Sequence, residues 1–295
     1  MLKKLERIIP PPPPHMVGDG FRVHNFFPSS GIQNKQRMSP FFMLDYASPY
    51  NFPPSEKQRG VDVHPHRGFE TVTIAYQGKV AHHDSAGNHG VIGEGDVQWM
   101  TAASGVLHKE YHEKDFSKKG GTFQMVQLWV NLPAQYKMSA PQYQEIKKEM
   151  MGRLTFEGGL LEVIAGNYKD IKGPASTFSP LHVFNLHLES QAEFILELPD
   201  EFILELPENF NTGLLAIKGS VTIQDQSVPS DHFALFQNAG STISIKASTS
   251  ATLLVLSGQP LDEPIVAYGP FLMNSWEEIE QAVEDFNNGK FGVLD

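Results

Sequence analysis

Short runs of β-type residues, separated by turns, dominate the first half of the chain. The runs at 70–76, 97–101 and 122–132 are rich in Val, Thr, Ile and aromatic residues, and glycine or proline lies at their ends. No helix-like segment lies between them. Closely spaced strands without intervening helices are typical of a β-sandwich or barrel. The pattern therefore predicts an all-β domain.

A second series of alternating apolar and polar residues follows, from about residue 152 to 258. Its rhythm of short strands and glycine turns repeats that of the first half. The length of 295 residues also suggests about two domains. We therefore predict a duplicated β-fold with domains at 1–145 and 146–260, followed by a tail at 261–295.

The tail contains the clearest helix signal of the chain. Ser275 and Glu278 form a capping-box pattern at its start. Ile279, Val283 and Phe286 make an apolar stripe, and Gly289 ends the helix. An apolar stripe must be buried, so the helix is expected to pack on one of the β-domains.

An eight-residue segment at 193–200 is repeated at 201–208, with seven of eight positions identical. Two identical copies cannot fill one strand position. One copy is therefore expected to form an extra hairpin arm or loop.

Composition excludes several classes of function. The net charge of -11 argues against nucleic acid as a partner. The absence of cysteine excludes disulfides, thiolate metal ligands and cysteine nucleophiles, so any metal must be held by nitrogen and oxygen. The start of the chain lacks the pattern of a signal peptide, and no segment is apolar enough for a membrane span. We expect a cytoplasmic protein.

Two pairs of metal-competent side chains stand out: His64 with His66, and His108 with Glu110. In a strand, residues two apart point to the same face. Two neighbouring strands could therefore direct three imidazoles and one carboxylate at one point. This donor set suits a borderline transition metal with one or two coordination positions left open. Nine of the twelve histidines lie at or before His112, which places the candidate chemistry in the first half.

Two other residues compete for the site by the same alternation. Glu70 is even-numbered like His64 and His66, so it is expected to face the same way, although Glu110 is the preferred carboxylate. His112 shares its face with His108 but is expected to lie beyond the site.

A third histidine-containing segment, His82-His83-Asp84, is also strand-like. Adjacent residues of a strand face opposite sides, so at most one of the two histidines lines the cavity. A structural, hydrogen-bonding role is preferred over a role as metal ligand.

Four motifs resemble the pirin family of bicupin proteins. They are His-Pro-His-Arg-Gly-Phe-Glu-Thr-Val at 64–72, Gly-Asp-Val-Gln-Trp-Met-Thr-Ala at 95–102, Gly-Val-Leu-His-Lys-Glu at 105–110, and Tyr-Gly-Pro-Phe-Leu-Met-Asn at 268–274. The resemblance implies two tandem cupin domains, which are jelly-roll β-barrels. It further implies a single iron in the N-terminal barrel and a metal-free C-terminal barrel. The iron ligands would be His64, His66, His108 and Glu110, whereas ordinary cupins use the glutamate at the position of Glu70.

The resemblance leaves two functions open. Some bacterial pirins resemble quercetin 2,3-dioxygenases, which implies an Fe(II)-dependent dioxygenase acting on a small flavonol-type aromatic molecule and O₂, with Glu110 as a proton acceptor. Others are regulators, which implies a non-enzymatic metalloprotein that binds a protein partner. Fe(II) is the expected metal, although Ni, Mn, Co, Cu or Zn would fit the same donors. A monomer is expected.

Overall fold

The computed structural model describes residues 1–29, 31–189, 202–247 and 249–294. Strands dominate these ranges, which contain two α-helices. The elements up to residue 146 are β1 (Leu5–Ile9), β2 (His15–Val17), β3 (Phe21–Phe27), β4 (Phe41–Phe52), β5 (Gly60–His66), β6 (Phe69–Gln77), β7 (Val80–Asp84), β8 (His89–Ile92), β9 (Val97–Thr101), β10 (Val106–His112), α1 (Lys114–Lys119), β11 (Gly121–Asn131) and β12 (Gln142–Ile146).

The remaining elements are again mostly short strands, and the second helix comes last. They are β13 (Gly152–Phe156), β14 (Gly159–Ala165), β15 (Asn167–Tyr168), β16 (Ile171–Lys172), β17 (Leu181–Leu188), β18 (Phe202–Glu205), β19 (Asn211–Lys218), β20 (Val221–Ile223), β21 (Gln226–Val228), β22 (Phe233–Phe236), β23 (Thr242–Ala247), β24 (Ala251–Gly258), β25 (Val266–Tyr268), β26 (Phe271–Met273) and α2 (Trp276–Asn287). Neither helix is long and apolar enough to cross a membrane.

The chain divides into two compact units. The N-terminal unit consists of Pro12–Gln36, Pro40–Glu149 and Leu261–Asp295. The C-terminal unit consists of Met1–Pro11, Arg37–Ser39 and Met150–Pro260. The tail helix therefore belongs to the same unit as the first series of strands.

The barrel of the N-terminal unit is built from two antiparallel sheets, and β25 and β26 of the tail form a separate two-stranded sheet. The larger has seven strands in the order β12-β9-β6-β11-β4-β3-β2, and the smaller has four in the order β5-β10-β7-β8. A buried apolar cluster includes Phe21, Phe52, Val80, Ile92 and Phe123, which come from strands of both sheets. The small sheet therefore faces the large one across a closed interior.

The C-terminal unit repeats this architecture. Its seven-stranded sheet has the order β1-β22-β19-β24-β17-β14-β13, and its four-stranded sheet the order β18-β23-β20-β21. Both sheets contribute to one large apolar core, in which Phe184, Leu204, Ile223 and Leu253 are buried. The predicted all-β fold of two cupin barrels with a C-terminal helix is confirmed.

The helix α2 begins as the sequence predicted. The Ser275 hydroxyl accepts a hydrogen bond from the Glu278 backbone, and the Glu278 side chain accepts one from the Ser275 backbone. Ile279 is buried against Phe271 and Phe291. The partly buried Leu107 of β10 packs against the same cluster. The tail thus lies against the strand that carries one of the two candidate ligand pairs.

Arg67, the residue after His66, ties the tail to the turn between β5 and β6. Its guanidinium donates to the Asp285 carboxylate of α2 at 2.8 Å, and both side chains are buried. The same guanidinium lies 4.7 Å from the centre of the Phe291 ring. The next residue, Gly68, has a φ of +91°, and an added Cβ would lie 2.0 Å from the Leu272 carbonyl oxygen. Only glycine allows the tail to approach this turn so closely.

The repeated octapeptide is only partly visible in this fold. The first copy, 193–200, lies outside the described residues. Half of the second copy, Phe202–Glu205, forms β18, which pairs with β23.

Candidate metal centre

The four-stranded sheet of the N-terminal unit brings the predicted ligand pairs together. In its antiparallel register His108 of β10 is paired with His64 of β5 on one side. On the other side His108 is paired with Asp84 of β7, and Glu110 is paired with His82. Paired residues of neighbouring strands point to the same face of a sheet. All of these side chains therefore project to one side of the small sheet.

Three imidazoles form a compact group at this point. One ring nitrogen from each of His64, His66 and His108 lies within 4.8 Å of the other two. His66 and His108 are buried, whereas His64 is half-buried and marks the open side of the group. The ring centres are 4.2 Å apart for His64 and His108, and 4.7 Å apart for His66 and His108.

Hydrogen bonds to backbone carbonyls set the orientation of two of these rings. His64 Nδ1 lies 2.7 Å from the Asp62 carbonyl oxygen, and His66 Nδ1 lies 3.4 Å from the Pro270 carbonyl oxygen. A carbonyl only accepts, so Nδ1 carries the proton and Nε2 keeps its lone pair. His108 Nε2 is buried and has no hydrogen-bond partner in the described part of the chain. An unpartnered buried nitrogen in a group of three imidazoles is well suited to a metal ion.

The same environment keeps the buried rings uncharged. Burial lowers the pKa of His66 and His108 well below the usual value, and neighbouring imidazoles lower it further. Neutral imidazole is the form that binds metals. The residues present therefore fit a transition metal held by nitrogen.

Glu110 belongs to a second triad. A carboxylate oxygen of Glu110 and ring nitrogens of His82 and His108 lie within 4.8 Å of one another. The four predicted ligands therefore do not form one group within this distance: His64, His66 and His108 make one triad, and Glu110 belongs to a second triad with His108 and His82.

Three polar side chains of the seven-stranded sheet fix the Glu110 carboxylate. Its Oε1 accepts from Thr73 Oγ1 and Gln98 Nε2, each at 3.0 Å, and its Oε2 accepts from Gln127 Nε2 at 2.6 Å. None of these three residues was predicted from the sequence. The signal was present, because polar side chains within otherwise apolar strands need a buried partner.

The expectation that Glu70 faces the same way as His64 and His66 is wrong. The chain leaves the small sheet at His66 and enters the large sheet at Phe69, so strand alternation does not continue across the turn. Glu70 lies three positions before Thr73, on the opposite face of β6. Its carboxyl accepts a hydrogen bond from Thr101 Oγ1 at 2.8 Å, and burial raises its pKa to about 7.

His112 is buried away from both triads. Its Nε2 lies 2.8 Å from the Gly20 carbonyl oxygen, and its ring packs against Phe52 and Phe123. It lies at the apolar end of the barrel, two positions beyond Glu110, as expected from the sequence.

His82 and His83 point to opposite sides of their strand. His82 is fully buried, and its Nδ1 lies 3.5 Å from His108 Nδ1. His83 is partly exposed and is hydrogen-bonded to the Tyr111 hydroxyl at 2.5 Å. Only His82 is therefore in contact with the candidate centre.

An aromatic wall borders the three imidazoles. The His66 ring meets Trp129 edge-on at 5.3 Å and Phe69 at 5.0 Å between ring centres. Trp129 itself stacks on Phe69 at 4.1 Å and on Phe42 at 6.2 Å. A flat aromatic molecule could stack against such a surface beside the imidazoles.

Comparison with known proteins relates the chain to one family along nearly its whole length. A sequence model described as pirin matches residues 20–130, and one described as pirin C-terminal cupin domain matches residues 191–292. A Pseudomonas aeruginosa protein, provisionally named a quercetin 2,3-dioxygenase, is 49% identical over 94% of each chain. A pirin-like protein of Caulobacter vibrioides is 37% identical over 94% of this chain and 95% of its own.

A solved structure shares the whole fold. The crystal structure of a quercetin 2,3-dioxygenase from Acinetobacter baumannii covers 100% of both chains, with a TM-score of 0.92 and 46% sequence identity. The fold and the sequence therefore relate this chain to the same set of proteins.

Proposed function

Because this chain belongs to the pirin family, we propose that it is a metal-dependent dioxygenase that acts on flavonol-type aromatic molecules such as quercetin. The observation that carries the proposal is the group of three imidazoles, each with one ring nitrogen within 4.8 Å of the other two, in which burial keeps His66 and His108 neutral. The names of the relatives support the substrate class. The aromatic wall beside the imidazoles supports it independently.

We propose that His64, His66, His108 and Glu110 hold one Fe(II) ion. Three neutral nitrogens and one carboxylate suit Fe(II) with two positions left open, and Ni, Mn, Co, Cu or Zn would fit the same donors. When bound, the metal supplies Lewis acidity toward the substrate hydroxyl and redox chemistry with O₂.

The side chains around the centre have separate roles in this proposal. Among the residues that the structure describes, one donor, Gln127, reaches Glu110 Oε2, so this oxygen retains a lone pair. That lone pair can bind the metal or take the proton of the flavonol 3-hydroxyl. Trp129, which is partly exposed beside His66, orients the flat substrate, and the fully buried Phe69 supports the Trp129 ring from behind.

Oxygen consumption tests this proposal directly. The protein is first loaded with Fe(II) under anaerobic conditions. On exposure to O₂ it should consume oxygen faster in the presence of quercetin than in its absence, and it should release carbon monoxide. Carbon monoxide distinguishes opening of the central ring from autoxidation. We expect slow turnover, because chelation of the metal is enough for a flavonol to bind and does not require the rest of the site to be adapted to it. His66→Ala should lose the activity.

Free iron at the same concentration is the control. If the loaded protein consumes no more O₂ than free iron does, the dioxygenase proposal is wrong and regulatory binding becomes the better explanation.

One surface favours that second candidate, a regulator that binds a protein partner. A groove of about 580 Å³ lies along α2 and is lined by the exposed rings of Tyr268 and Trp276 together with Ile279 and Val283. Glu280 and Glu284 border it. Acidic and aromatic side chains together suit a partner that presents basic and apolar side chains.

A further inference from the structure

Asp84 and His82, two buried residues outside the predicted ligand set, form a hydrogen-bonded series with His108. His82 Nε2 lies 3.3 Å from Asp84 Oδ2, and His82 Nδ1 lies 3.5 Å from His108 Nδ1. All three residues are at most 4% exposed. The order is therefore carboxylate, imidazole, imidazole, and it ends at the unpartnered His108 Nε2.

The Asp84 carboxylate, the first group of this hydrogen-bonded series, determines where the protons of the two imidazoles lie. Asp84 Oδ1 accepts backbone hydrogen bonds from Ala86 and Asn88 at 3.0 and 2.9 Å, as an ionised carboxylate does. A carboxylate only accepts, so His82 Nε2 carries the proton and His82 Nδ1 is left with a lone pair. His108 Nδ1 must then donate to it, which leaves the lone pair of His108 at Nε2.

The surroundings hold His82 in this orientation. Its ring stacks on Tyr143 with 5.0 Å between the centres and 15° between the planes. It is fully buried, so water does not compete for its nitrogens. Its strand β7 pairs with β10, which carries His108, in continuous register.

We propose that Asp84 and His82 are positioning residues that fix the tautomer of His108 and increase its basicity as a metal ligand. The proposal rests on the metal centre of the proposed function. It differs from a role of His82 as a ligand, which the proximity of His82, His108 and Glu110 also allows. A carboxylate or imidazole behind a ligating histidine orients the ring and strengthens its bond to the metal.

Cobalt(II) titration of the full chain separates these possibilities. His82→Phe keeps a ring beside Tyr143 but removes both hydrogen bonds. His82→Asn keeps an acceptor near His108 Nδ1 and loses the link to Asp84. Asp84→Asn removes the charge and, because the backbone N–H groups of Ala86 and Asn88 retain the amide oxygen, turns an NH₂ donor toward His82 Nε2. His83→Phe, the same change at the neighbouring residue on the other face, is the matched control.

The expected result is one Co(II) per chain in every variant. His82→Phe should weaken affinity about 10- to 100-fold and shift the visible d–d bands. His82→Asn should restore part of the affinity, and His83→Phe should bind as wild type does. If His82→Phe does not fold, Asp84→Asn decides the matter, because it alters the hydrogen-bonded series with little change in side-chain shape.

The reduction potential of the iron-loaded protein provides a readout that a purely structural role would not move. A less basic His108 stabilises Fe(III) less, so the Fe(III)/Fe(II) potential should rise in His82→Phe and in Asp84→Asn.

Three results would count against these ideas in distinguishable ways. If cobalt affinity, d–d bands and reduction potential are unchanged in both His82→Phe and Asp84→Asn, the positioning role of Asp84 and His82 is wrong, and the metal centre is unaffected. If His82→Phe loses stoichiometric Co(II) binding and His64→Ala retains it, His82 is a ligand, and the positioning role is again wrong. A wild-type chain that binds no Co(II) would remove the metal centre itself, and with it the proposed function.

Discussion

At the scale of single residues, the orientation of each imidazole is set by the group behind it. A backbone carbonyl lies behind His64 and another behind His66, whereas a second imidazole lies behind His108. Each of these neighbours lies at Nδ1, so Nε2 is the ring nitrogen left for the proposed metal.

The choice of carboxylate is a prediction at this scale. Glu110→Gln should weaken metal affinity strongly, because the carboxylate lies within 4.8 Å of the His108 ring nitrogen. Glu70→Gln should leave affinity unchanged, because Glu70 lies on the other face of β6. Metal content after dialysis measures both, and the reverse order would restore the glutamate position of ordinary cupins.

Glu70 should instead affect the dependence of stability on pH. Its pKa is raised from 4.5 to about 7 in the folded protein, so the folded state binds this proton more tightly than the unfolded state does. Its contribution to stability is full below pH 4.5 and is lost as pH rises through 7. Relative to wild type, Glu70→Gln should therefore gain up to about 3 kcal/mol between pH 4.5 and pH 8.

Urea denaturation of both proteins across this range measures the difference. A constant difference would mean that Glu70 is charged throughout and that another group carries the pH dependence.

At the scale of elements, the tail helix is attached to the turn that follows His66. Asp285 of α2 accepts from Arg67, Gln281 and Lys290. The hydrogen bonds from Lys290 and Arg67 lower its pKa to about 2. Its contribution to stability is therefore present above its usual pKa of 3.8 and is lost as pH falls through 2.

Asp285→Asn should destabilise the fold by about 3 kcal/mol, because it leaves the Arg67 guanidinium buried without a counter-charge. Glu284→Gln, at the neighbouring exposed position of α2, is the control and should change little. Chemical denaturation compares the two. Equal effects would mean that the ion pair contributes nothing and that apolar packing alone holds the helix.

At the scale of the whole molecule, the barrels supply their own cores. Each unit buries a continuous apolar cluster between its sheets, separate from the imidazole group. The metal is therefore expected to add to stability by mass action and not to be required for folding.

His64→Ala and His108→Ala should each abolish stoichiometric metal binding and leave the fold intact. Metal analysis together with circular dichroism checks both parts. Unfolding of the half-buried His64→Ala variant would mean that the site is structural.

The local features of this protein follow from the sequence alone. Strand periodicity predicted two β-domains, the spacing of two placed His64 beside His66 on one face, and Ser275 with Glu278 fixed the start of α2. Each depends on residues within a few positions of one another, where backbone geometry alone sets the direction of a side chain.

Contacts across the interior could not be predicted in this way, because they depend on the three-dimensional fold. Alternation failed at Glu70 because a glycine turn passes the chain from one sheet to the other. The partners of Glu110 come from three separate strands, and Arg67 meets Asp285 from the far end of the chain. Such contacts depend on how the two sheets face each other and on how the C-terminal tail packs against the barrel. Neither can be predicted from a local sequence pattern.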